Sequence, residues 1–85
     1  MARPIPKSHI RKLENNIVAL IWGKAEVAGV GRMGIADIMQ CSIATVNKRR
    51  LYPSRFTAEE LFRLCRALDI SPEELGKAFE GVHSA

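Results

Sequence analysis

Along this chain the apolar residues recur at steps of three and four, and no stretch alternates with a period of two. An α-helix repeats every 3.6 residues and a strand every two, so the spacing commits the chain to helices and leaves nothing to build a sheet. The run IVALIW, Ile17 to Trp22, is apolar enough to pass for a strand. It lies inside the longer repeat of Ile10, Leu13, Ile17, Leu20, Ile21 and Ala28, however, and has no alternating partner elsewhere. The expected fold is all-α. With 85 residues there is length for one small core, and an apolar fraction of 47% is too high for a disordered segment.

Proline, glycine and capping residues set the boundaries. Pro4 and Pro6 keep residues 1–7, a basic arm, out of a first helix expected from about Ser8 to Ala28. Gly23 within it costs about 1 kcal/mol relative to alanine. The Gly29-Val30-Gly31 stretch ends this helix, with Gly29 as a left-handed C-cap and Gly31 opening the next. That second helix, about 32–40, buries Ile35, Ala36 and Met39. A third, about 42–50, follows a turn of two or three residues. Ser42 caps it and Val46 points inward, while Ile43, Ala44, Asn47 and Lys48 point outward. The basic loop Arg49 to Arg55, with Pro53 inside it, closes the helix.

Two helix starts are written out in full. In Thr57-Ala58-Glu59-Glu60, Thr57 caps and Glu60 returns the bond, with Phe56 stapled to Leu61. Ser71-Pro72-Glu73-Glu74 repeats the device, with Ile70 stapled to Leu75 and Pro72 at the first helical position. The fourth helix then buries Leu61, Leu64, Cys65 and Leu68. The fifth presents Leu75, Ala78, Phe79 and Val82, so the domain spans 8–82 and residues 83–85 fray.

A net charge of +4 conceals a division. Residues 1–56 hold ten Lys/Arg against three acids, a balance of +7, whereas residues 57–85 hold three against six, a balance of −3. Such a chain has a basic side for a polyanion and an acidic side that faces elsewhere. Cys41 and Cys65 form no CxxC, and no signal peptide precedes them, which suits packed thiols in a reducing cytoplasm.

The remaining motifs argue against catalysis. GVGRMG, Gly29 to Gly34, matches GxGxxG by letter, but a nucleotide loop needs a strand before it, and a helix stands there. His9 and His83 lie at opposite ends, and no His, Cys, Asp or Glu spacing resembles a metal site or pairs a nucleophile with a base. The expectation is no enzyme, no cofactor, no metal, no small-molecule ligand and no membrane span. Trp22 is expected in or beside the core, and Tyr52, inside the basic loop, either packs there or meets a phosphate through its hydroxyl.

One constellation remains, Ile35 to Lys48 (IADIMQCSIATVNK). A helix, a turn of about three residues and a second helix, with small Ala36 at the crossing and Val46 in the junction, describe a helix-turn-helix. From Gly29 to Glu74 the chain resembles the phage repressor and Cro-like, or Xre, family of regulators. The likeness is carried by GVGRMGIA entering the first motif helix, Ser42 and Val46 in the second, and the cadence of PSRFTAEELFRLCRALDISPEEL. It implies a five-helix, lambda-repressor-like DNA-binding domain, with Ser42 to about Arg50 as recognition helix. The chain departs from the family in having Gln40 where the turn usually has Gly, a residue that a left-handed backbone there would strain. It also has Arg49-Arg50 where Leu and Glu are usual.

Through the resemblance Ile43, Ala44, Asn47 and Lys48 become base readers: the first two by contact with a thymine methyl, Asn47 toward adenine, Lys48 toward guanine. The expected phosphate set is Arg49, Arg50 and Arg55, the arm residues Arg3 and Lys7, and Ser42, Thr45 and Tyr52. The implied activity is sequence-specific binding of double-stranded DNA and repression by steric occlusion of an operator. Relatives pair on palindromic half-sites about 34 Å apart, and a homodimer through Leu75, Phe79 and Val82 is expected. The alternatives are an antitoxin, which shares fold and DNA binding, and a helical protein-interaction module.

Overall fold

Left-handed residues close helices of this protein, and prolines stand at the starts of others. The computed structural model describes residues 4–83, and the side chains of residues 4–80. Helix α1 runs Lys7–Ala28, and Gly29 after it takes φ 72°. The amides of Gly29 and Val30 then bond back to Glu26 and Ala25 at 3.1 and 2.8 Å, closing a Schellman cap. Helix α2, Arg32–Met39, ends the same way on Gln40, whose φ is 57°. Gln40 bonds to Asp37 and Cys41 to Ala36. The turn therefore keeps the left-handed form expected to strain a non-glycine residue, and two backbone bonds hold it there.

Three residues separate α2 from α3, Ile43–Leu51. A 3₁₀ turn, Pro53–Arg55, follows, then α4, Ala58–Ala67, and α5, Pro72–His83. No strand occurs among the described residues. Both capping boxes form. Glu60 accepts from the Thr57 amide at 2.9 Å while Thr57 Oγ1 accepts from the Glu60 amide at 3.1 Å, and Ser71 and Glu74 exchange the same pair at 3.2 and 3.1 Å. Each cap is worth about 1 kcal/mol.

The core gathers Ile17, Ile21 and Ala25 from α1, Ile35, Ala36 and Met39 from α2, Val46 from α3, and Leu64, Leu68, Ile70 and Ala78 from the C-terminal elements. On α1 the buried stripe steps by four through 17, 21 and 25, so Ala25 is enclosed and Ala28, expected inside, is exposed. Leu61, Cys65 and Leu75 are half-buried against the core. Ile21, Ile35, Val46 and Leu64 are fully enclosed, each stabilising the fold by about 1.5–3 kcal/mol.

Helix α1 lies along α5, while α2 touches both α3 and α4. Asn16 Nδ2 donates to the Ala78 carbonyl at 3.1 Å, and Lys24 meets Glu74 at 2.8 Å, so two polar ties cross the α1–α5 contact. At Gly34, in the first turn of α2, a Cβ would sit 2.7 Å from Val30 Cγ1, so any larger residue there would displace the Val30 side chain. The 3₁₀ turn packs on α1 and α3, which fixes where α3 ends.

Candidate nucleic-acid interface

The α3 helix is positioned from both ends. At its start Ser42 Oγ accepts from the Thr45 amide at 3.2 Å, and the two hydroxyls lie 3.1 Å apart. At its finish Lys48, Arg49 and Arg50 stand in the last turn, where cations complement the carbonyl end of the helix dipole. With Val46 buried, Ile43, Ala44, Asn47 and Lys48 all face outward, Ile43 being 42% exposed. Leu51 extends this outer strip and is 73% exposed. It lies seven residues from Ala44 and four from Asn47, a spacing that places it on the strip from periodicity alone.

The expected phosphate residues divide by environment. Arg49 is half-buried and grips Glu60 with both arms, Nε to Oε1 at 3.0 Å and Nη2 to Oε2 at 3.4 Å. Its guanidinium thus ties α3 to the start of α4. Arg50 is exposed, with its guanidinium 5.4 Å from the centre of the Trp22 ring. Trp22 in turn leans on Phe56, half-buried beside the core as expected. Tyr52 is 60% exposed and follows α3 directly. Arg55, in the 3₁₀ turn, and Lys7, the first residue of α1, are exposed; Ser42 is exposed and Thr45 half-buried. Arg3 lies outside the described residues.

Burial pushes the Glu60 carboxyl up, but the Arg49 and Thr57 hydrogen bonds outweigh it and hold the group below the ordinary carboxylate value. For Glu74 the hydrogen bond from Lys24 comes first, then that from Ser71, and its pKa is lowered too. Burial pushes the thiols of Cys41 and Cys65 up, in keeping with packed, unreactive sulfur. Among the described residues no group of His, Cys, Asp and Glu could hold a metal ion, and no helix is long and apolar enough to cross a membrane.

An open groove of about 800 Å³ lies between α1 and α3, with Arg11, Arg32, Arg50 and Tyr52 around it. Arg11 and Arg32 are additions to the residues expected from the motif. Arg32 opens α2, while Arg11 lies on α1, well outside the motif in sequence, and the placing of α1 beside the motif helices brings it in. No family model matches the chain, and comparison with curated proteins and with solved structures gives no match. The functional reading therefore rests on the side chains themselves.

Of the residues expected to form a dimer face, Leu75 and Phe79 lie one turn apart on α5 and line two grooves that meet at Leu61. Leu75 lines a groove of about 530 Å³ with Phe62, Cys65 and Ile70, whereas Phe79 lines another with Leu13 and Phe56. The side chain of Val82 lies outside the described residues.

Proposed function

We propose that this chain is a sequence-specific double-stranded DNA-binding regulator of the phage repressor type, with α2, the turn 40–42 and α3 as its helix-turn-helix. The supporting observation is the outer strip of α3. It is held from beneath by Val46 and from the side by the Arg49–Glu60 pair, and it presents two apolar and two polar side chains to solvent. Ile43 and Ala44 suit a thymine methyl, Asn47 suits adenine and Lys48 guanine, while Arg50 and Tyr52 flank them for phosphates. A helix of this width enters a major groove of about 12 Å. Repression by occlusion, as a homodimer in a bacterial cytoplasm, follows from the family resemblance, and we read the chain as a binder and not an enzyme.

A second reading, a protein-interaction module or antitoxin, draws on the α4–α5 groove, beside which Phe62 is 63% exposed. Selection of bound duplexes from a random pool separates the two. The DNA reading expects an enriched motif with two half-sites; recovery of unenriched sequence would leave the interaction reading in its place.

A further inference from the structure

We infer that the groove between α1 and α3 is a phosphate track, in which the backbone of the duplex read by α3 continues across α1. The inference rests on the DNA-binding reading of α3 and extends it onto α1, which lies outside the motif. Arg11, Asn15, Val18, Ala19 and Trp22 stand on one face of α1, at steps of four, three, one and three. The floor there is small: Ala19 is exposed, and at Gly23 no atom lies within 4 Å of where a Cβ would be. Helices α1 and α3 consequently leave two adjoining grooves, of about 800 and 530 Å³, that share Val18, Ala19, Arg32 and Arg50.

The rim is cationic, and its cations are available. The ion pairs among the described residues are Lys24–Glu74, Arg49–Glu60 and Arg63–Glu59, so Arg11, Arg32 and Arg50 enter none. Of the two carboxylates on the groove, Glu14 already accepts the amide and hydroxyl of Ser54 at 3.2 and 2.8 Å, and Glu26 lies at the far end. Trp22 orients the Arg50 guanidinium by its ring face while leaving the N–H edge for oxygen acceptors. A small, partly apolar floor with guanidinium, amide and phenol donors around it fits the sugars and phosphates of a nucleic-acid strand. From Arg11 to Trp22 the track is about 16 Å long at 1.5 Å per residue, enough for several consecutive phosphates of one strand. Asn47 and Leu51 line the groove and also belong to the outer strip of α3, so the two surfaces are continuous.

The test is an NMR titration of the whole chain with a random-sequence duplex of about 20 base pairs, two helical turns. It follows the arginine Nε–H signals of Arg11 and Arg32 beside the backbone signals of Ala44, Asn47 and Lys48. Shifts in both sets support the track. Shifts on α3 with Arg11 and Arg32 unmoved overturn the track and keep the reading of α3; shifts at the arginines alone overturn that reading and, with it, a track continuous with α3; movement in neither overturns both. In parallel, the exposed pair Arg11→Gln and Arg32→Gln is expected to lower the salt slope of binding by about 1.8 and to weaken all sequences equally. A slope unchanged in a variant of unchanged melting temperature would also overturn the track.

Discussion

Three acids of the C-terminal half, Glu59, Glu60 and Glu74, and most bases of the N-terminal half stand in opposite relation to the fold. Glu60 bonds Thr57 and Arg49, Glu74 bonds Ser71 and Lys24, and Glu59 pairs with Arg63. These carboxylates start helices and join them. On the other side Arg11, Arg32, Lys48, Arg50 and Arg55 are exposed and enter no ion pair among the described residues. The two N-terminal cations that are paired, Lys24 and Arg49, are paired by acids of the other half. Charge that the fold consumes is structural, and charge it leaves on one face is available to a polyanion. The net +4 of the chain reports neither role.

The contrast breaks most visibly at Glu60. Glu60→Ala is expected to destabilise the protein by about 2–3 kcal/mol in urea unfolding, because it removes one arm of a capping box and leaves the half-buried Arg49 unpartnered. A loss under about 0.5 kcal/mol, the level of an ordinary surface change, would show that the acid is not structural. On the basic side, Lys48→Ala is expected to lose about 1–3 kcal/mol of discrimination at one or two base pairs, whereas Arg50→Ala weakens every sequence and lowers the salt slope by about 0.9. Equal losses on a panel of duplexes from both variants would erase the distinction between reader and phosphate contact.

The same acid gives a pH signature. Its folded pKa is depressed, so the stability it contributes is present above the ordinary carboxylate value and is lost as pH falls through the lowered one. Melting temperature measured from neutral to acid pH should fall less steeply in Glu60→Gln than in the natural protein. Parallel curves would assign the acid sensitivity to other carboxylates. The smallest effect concerns the turn. Gln40→Gly relieves a left-handed residue and is expected to stabilise by about 0.5–1 kcal/mol without altering DNA affinity. A loss of stability would mean that the side chain of Gln40 contributes to the turn.

How far the sequence foretold this molecule depends on how local each feature is. The caps at Ser42, Thr57 and Ser71 were legible because a side chain bonding an amide three residues on needs no tertiary context. The inward Val46, the enclosed Ile35, Ala36 and Met39, and the outward strip of α3 follow from helical periodicity alone. The exchange of Ala28 for Ala25 arises at a helix end, where that periodicity weakens. Arg49, expected among the phosphate contacts, lies beside Glu60 only because of how α3 is set against the start of α4. The groove with Arg11 and Arg32 needs small residues on α1 and the docking of three helices. A hydrophobic pattern encodes neither, nor does it show that Leu75 and Phe79 line different grooves.

DNA binding is proposed to reside in the cations the fold leaves unpaired around α1 and α3. This is tested most directly by duplex affinity at one fixed salt concentration for two charge-matched double variants. One neutralises Lys48 and Arg50, the other Arg66 and Lys77 in the acidic half. The expected result is a loss of at least about tenfold, or 1.4 kcal/mol, in the first and less than about twofold in the second. Equal losses in the two would contradict the claim, because binding would then follow total charge and not this face.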